Sequence, residues 1–136
     1  MVAYSFQKQF ATPILDGTKG GTIRADRKRH ARPGEELQLY TGMRTKHCRL
    51  ISRETCAGVT PIRLYLKGDR VIIGEAGART PRVDIRSARA LDIFARFDGF
   101  VEWDALCSFW RETHEALQDF SGQHIRWLDL PLELLR

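Results

Sequence analysis

A chain of 136 residues, 43% of them hydrophobic, can bury a core in one domain without disulfides or metals, and that composition excludes a disordered chain. No apolar run reaches the roughly 20 residues of a membrane-spanning helix, and the first ten residues lack the long apolar region of a secretory leader. A cytoplasmic protein with no membrane partner is expected. The net charge of +5 is unevenly spread: ten Lys or Arg oppose three acidic residues from Lys19 to Arg53, whereas eleven oppose thirteen from Glu54 onward. A positive field confined to one region favours a phosphate-bearing partner, with a merely solvated surface as the alternative.

Ala3–Phe6 reads as a short strand. Thr12 and Pro13 read as the N-cap and first residue of a short helix, which Asp16-Gly17 ends. Gly21–Arg24 follows as a strand after a glycine turn. The basic run from Arg27 to Arg32 then falls on a loop, and Arg32-Pro33-Gly34 is a turn signal. Leu37, Leu39 and Thr41 alternate with Gln38 and Tyr40, as in a strand with one buried face. Tyr40 and Arg44 flank a turn at Thr41-Gly42-Met43. Cys48–Ser52 and Val59–Leu66 are further strands, and Lys67-Gly68-Asp69 turns the chain into Val71-Ile72-Ile73. Gly74–Pro81 reads as a loop and Arg82–Ile85 as another short strand.

Helical spacing then takes over. Ser87 caps a helix whose apolar positions are Ala90, Leu91, Phe94, Ala95 and Phe97, and Asp98-Gly99 stops it. A second helix starts near Glu102 and gathers Trp103, Leu106, Phe109 and Trp110 on one face. Ser121-Gly122 reads as a turn, and Gln123–Leu130 as a closing strand with Ile125 and Trp127 on one side. Trp103, Phe109, Trp110 and Trp127 are expected in the core. The fold class is therefore α+β: a small curled sheet or barrel flanked by a short early helix and two late helices, in a single domain over 1–136.

The three cysteines, Cys48, Cys56 and Cys107, are odd in number and form no C-x-x-C, so free thiols are expected. Cys48 and Cys56 could face each other across a hairpin, but a reducing compartment argues against a disulfide. The four histidines lack paired ligand spacing, so neither metal nor cofactor is expected.

The run Gly17-Thr18-Lys19, then Thr22-Ile23-Arg24, then Pro33-Gly34-Glu35 before Leu37 resembles the signature of the ASCH domain family, small β-barrels related to the PUA fold. Asp98-Gly99-Phe100, the helix around Trp103–Trp110, and Gly122 with Ile125 and Trp127 are similar to the family's ending. The resemblance implies a PUA-like barrel and nucleic acids or nucleosides as ligands. In one branch, an amidohydrolase of N4-acetylcytidine, a Lys, a Thr and a Glu carry the reaction. The Lys matches Lys19 and the Thr matches Thr22. The Glu most nearly matches Asp98, which is one methylene shorter. Another branch has been described as a ribonuclease.

The residues alone point to the same corner. Thr22 and Arg24 share one side of a strand, Gly20 and Gly21 permit close approach of a ligand, and Lys19 lies just before them. Lysine can act as a base when desolvation or a neighbouring cation lowers its pKa. Arg24 can stabilise an oxyanion or grip a phosphate. Arg27, Lys28, Arg29, Arg32 and Arg44 can track a phosphate backbone, and Tyr40 can stack on a base. The plainer reading of each also stands: a lysine covering a turn, a strand threonine, an arginine paired structurally, an aspartate ending a helix. The leading expectation is binding of RNA, another nucleic acid or a modified nucleobase around Lys19–Arg24. Hydrolysis of an acylated nucleoside by Lys19, Thr22 and Asp98 is the alternative, and metal-independent RNA cleavage is the third.

Overall fold

In a computed structural model, residues 1–75, 82–114 and 118–136 are described. Among these residues eight strands form two sheets. The first joins β1 (Val2–Phe6), β3 (Glu36–Thr41) and β4 (Arg49–Thr55), with β1 parallel to β3 and β3 antiparallel to β4. The second is antiparallel and runs β2 (Gly21–Arg24), β8 (Asp119–Arg126), β5 (Gly58–Tyr65), β6 (Arg70–Ile73) and β7 (Val83–Ile85). Period-two alternation decides which sides pack. In β3, Leu37 and Leu39 are fully buried while Gln38 and Tyr40 are half-buried on the other face.

The barrel expected from the resemblance is not found: these are two open sheets. Among the described residues β1 pairs only with β3 and β2 only with β8, so no ladder joins their facing edges. The Arg24 guanidinium spans the gap instead, donating to the Ser5 carbonyl at 2.7 Å. One hydrophobic cluster runs through both sheets and the helices, with Tyr4, Leu64, Ile85, Phe94, Leu106 and Ile125 at its centre.

The early helix, α1 (Ala11–Leu15), continues a 3₁₀ turn at Lys8–Phe10. Thr12 is therefore not its cap: the N-cap position is Phe10, which has no side-chain capping bond. Pro13 remains compatible because it lies in a first turn, whose N–H groups have no intrahelical partner. α2 (Ala88–Phe97) begins as expected, with the Ser87 hydroxyl accepting from the Ala90 N–H at 3.1 Å, and it buries the apolar stripe read from its spacing. α3 (Trp103–Thr113) is capped from α2, where the Asp92 carboxylate accepts from the Trp103 N–H at 2.9 Å. A short α4 (Leu132–Leu135), unforeseen in the sequence, packs on α2.

Ser121-Gly122 is not a turn but the middle of β8. A Cβ at Gly122 would collide with the Arg24 carbonyl and the Phe120 ring, so glycine here lets β2 lie close against β8. The closing strand accordingly starts earlier than Gln123 and stops at Arg126. Cys48 is exposed, Cys56 and Cys107 are buried, and all three are free. Residues 76–81 of the expected Gly74–Pro81 loop lie outside the described residues. No helix among the described residues is long and apolar enough to cross a membrane.

Candidate functional site

The glycine turn after α1 is fixed by backbone bonds from three directions. Gly17 turns the chain at φ 83°, and the Lys19 N–H donates to the Pro13 carbonyl at 2.9 Å. The Lys19 carbonyl accepts from the Trp127 indole at 3.2 Å. Gly20 donates to the Phe97 carbonyl at the end of α2, and its own carbonyl accepts from the Trp127 N–H, each at 2.9 Å. Lys19 thus leaves a rigid stem.

The end of α2 is equally defined. Gly99, at φ 98°, donates to the Arg96 carbonyl at 3.0 Å, and Phe100 donates to the Ala95 carbonyl at 2.9 Å. This is a Schellman ending. It leaves the Asp98 carbonyl without an intrahelical donor, and the Lys19 ammonium donates to it. The Asp98 carboxylate lies 3.5 Å from the same nitrogen. The two groups are 3% exposed each, and the Lys19 nitrogen faces the Phe6 and Phe10 rings at 5.5 and 5.0 Å.

Burial pushes both partners toward neutrality. Desolvation lowers the Lys19 pKa, against the pull of Asp98 and with the help of Arg24. Desolvation raises Asp98 to about 6, against the attraction of Lys19 and Arg24. Arg24 is the third charge of the group. Burial lowers it from its ordinary value, yet a guanidinium stays protonated in proteins. Arg24 and burial thus favour loss of the Lys19 proton, and Asp98 opposes it. Arg24 Nε donates to the Thr22 hydroxyl at 3.1 Å, so Thr22 accepts there and keeps its own proton available. The Arg24 guanidinium also covers the Tyr4 and Phe6 rings at 5.3 and 4.8 Å.

Lys19, Thr22, Arg24 and Asp98 all line one cavity of about 320 Å³. Its remaining wall is largely aromatic: Phe6 and Phe10 from the first strand and turn, Phe100, Phe109 and Trp110 from the α2–α3 region, and Phe120 from β8. Phe10, Phe100 and Phe109 meet edge-on or tilted, with centroids 5.3 to 5.5 Å apart. The chain matches no protein-family model, no curated protein and no solved structure. What the site can do therefore rests on its own chemistry: a hydroxyl, an amine biased toward its free base, a fixed cation and a carboxyl, in a slot with largely aromatic walls.

The other candidate residues lie elsewhere. Gly21 does not line the cavity; a Cβ there would stand 2.8 Å from His124 Nε2 and 3.1 Å from Phe97, so this glycine admits α2 rather than a ligand. Tyr40 is on β3 and does not line the cavity, and its hydroxyl donates to Gln38 at 2.9 Å. Arg27 is folded over the Tyr4 ring at 4.7 Å and donates to the Arg29 carbonyl. Arg29 is paired with Glu35 at 2.5 Å. Lys28 and Arg32 are exposed, and with Arg27 and Arg29 they line a separate surface groove. Arg44 is exposed on the turn after β3, at φ 65°.

The aromatic wall is what sequence reasoning missed. Phe109 and Trp110 were expected in the core. Trp110 is buried, but both also border the cavity. The available signal was the packing of aromatics on both sides of Asp98-Gly99, denser than one helix face needs.

Proposed function

We propose that the protein binds a modified nucleobase in this cavity and hydrolyses an acyl group from its exocyclic nitrogen, as in N4-acetylcytidine. The observation that carries the reading is the convergence of Lys19, Thr22, Arg24 and Asp98 inside one aromatic-walled cavity. Flat aromatic walls suit a base by stacking, and the polar group supplies the parts an amide cleavage needs. The resemblance to ASCH domains points the same way, with Asp98 in place of the family glutamate.

The steps follow from the chemistry of each group. The Thr22 hydroxyl attacks the acyl carbon while its proton passes to Lys19, which reacts as its free base. The tetrahedral oxyanion is stabilised by the Arg24 cation, which already donates to the Thr22 oxygen. The C–N bond breaks as the Lys19 ammonium returns its proton to the leaving nitrogen, freeing the amino base. Water then attacks the acyl-threonine ester as Lys19 takes its proton; the bond from the acyl carbon to Thr22 Oγ breaks, Lys19 returns the proton to that oxygen, and the acid leaves with Thr22 restored. Asp98 orients the Lys19 nitrogen through its carbonyl and carboxylate and balances the Arg24 charge.

The test is turnover of N4-acetylcytidine to cytidine and acetate by the purified protein. Lys19→Ala and Thr22→Ala are each expected to lower kcat/KM by at least about a thousandfold, as losing a base or nucleophile does. No turnover above background, or a Lys19→Ala variant as active as the parent, overturns the hydrolase reading.

Nucleic-acid binding is the second reading. Its support is the groove lined by the Asp26–Arg32 loop with Val59 and Gln123, which begins beside Ala25 at the cavity mouth.

A further inference from the structure

His114, which follows the last turn of α3, takes no part in the proposed chemistry, yet it lines the same cavity. Its ring lies flat on Trp110, with centroids 4.4 Å apart and planes inclined by 16°. Its hydrogen-bond partners fix its tautomer. Nδ1 stands 2.7 Å from the Thr113 hydroxyl and 3.3 Å from the Trp110 carbonyl. The carbonyl can only accept. The Thr113 hydroxyl has already given its proton to the Phe109 carbonyl at 2.8 Å, so it too accepts. Nδ1 of the neutral ring therefore carries the hydrogen, and Nε2 keeps a lone pair. Among the described residues Nε2 makes no hydrogen bond. Among the described residues it is an oriented acceptor without a donor.

Depth tells which part of a ligand it meets. Lys19, Thr22 and Asp98 are buried at one end of the cavity, whereas His114 is exposed at its rim. A nucleoside with its acyl amide at the buried end carries its sugar outward, and the sugar offers O–H donors. We propose that His114 is a specificity-determining residue whose Nε2 accepts a hydrogen bond from a sugar hydroxyl, so that the site selects nucleosides over bare bases. This rests on the nucleobase reading of the cavity, but not on hydrolysis.

The experiment compares N4-acetylcytidine with its 1-methyl analogue, in which a methyl group replaces the sugar, at pH 8. His114→Phe keeps the stack on Trp110 and removes the acceptor. It is expected to raise KM for the nucleoside about tenfold, the effect of losing one hydrogen bond, with kcat within about twofold and KM for the 1-methyl analogue unchanged. His114→Gln, whose amide oxygen can reach the Nε2 position, is expected to restore most of the loss. An equal change on both ligands, or none on either, overturns the proposal. If the parent protein has no turnover, the same comparison is made by calorimetric binding of cytidine and 1-methylcytosine. A preference for cytidine that His114→Phe removes supports the role of His114 even though hydrolysis has failed. Binding of neither, or of both alike, overturns it.

Discussion

Asp98 and His124 are both fully desolvated, and burial moves them in opposite directions on the pH scale. Asp98 is raised to about 6, so its carboxylate is lost as pH falls through that value. In the proposed reaction kcat/KM is expected to drop below about pH 6 with unit slope, and Asp98→Asn is expected to abolish that limb in a pH–rate profile. His124, tilted against Phe94 and Phe97 with neither ring nitrogen partnered among the described residues, is lowered to about 3 from 6.5 by desolvation and then by Arg126 and Lys19. The unfolded chain binds a proton there below 6.5 and the folded one does not, so this residue's contribution is fully present above 6.5 and is lost as pH falls toward 3. Asp98 works against it between 3.8 and 6, which flattens the net dependence. His124→Phe isolates the histidine. Its stability gain over the parent in urea unfolding is expected to be about 2 kcal/mol larger at pH 5 than at pH 8. An equal gain at both pH values contradicts a neutral His124.

At the end of α2, one glycine both stops the helix and makes room for the lysine. Gly99 has φ 98°, and a Cβ there would lie 2.8 Å from Lys19 Cδ and 3.0 Å from Phe10. Gly17 after α1 has φ 83° with nothing within 4 Å of such a Cβ. Alanine at either position incurs left-handed strain of about 1–2 kcal/mol. Only Gly99→Ala also displaces Lys19. Both variants are expected to lose similar stability from strain in thermal unfolding, with Gly99→Ala losing more and losing at least about tenfold in kcat/KM, while Gly17→Ala stays near the parent. Equal activity in the two variants contradicts the dependence of the site on this close approach. The element boundaries tell the same story in reverse: Ser87 and the Asp98-Gly99 stop were legible because caps are local chemistry. The Phe10 start of α1 was not, because the preceding 3₁₀ turn carries no side-chain cap.

Across the whole molecule, charge is asymmetric but not all of it is free. Arg24 joins the two sheets, Arg27 is held on Tyr4, and Arg29 is paired with Glu35. Lys28 and Arg32 remain exposed along the loop. If the loop tracks a polynucleotide, neutralising Arg27, Lys28 and Arg29 to Gln is expected to weaken RNA binding and flatten the plot of log affinity against log salt by up to about three units of slope, one for each lost contact. An unchanged slope removes the loop from the interface. Turnover of a free nucleoside should be the same in parent and triple variant, because none of the three lines the cavity.

Local signals carried much of the reading. Alternation in β3, the helical stripe of α2, the turn at Lys67–Asp69 and the strand holding Thr22 and Arg24 could all be read from neighbouring residues, since period and turn chemistry are short-range. So could the residue types of the candidate site, because Lys19, Thr22 and Arg24 are nearly adjacent. Three things depended on the folded chain. One was that Asp98, distant in sequence, meets Lys19. Another was that Gly21 and Gly122 serve packing between neighbours far along the chain. The last was that the aromatics of α3 and β8 wall a cavity as well as the core. Each is a long-range contact, and long-range contacts are decided by how two open sheets and a helix ending come together, which no window of local sequence encodes.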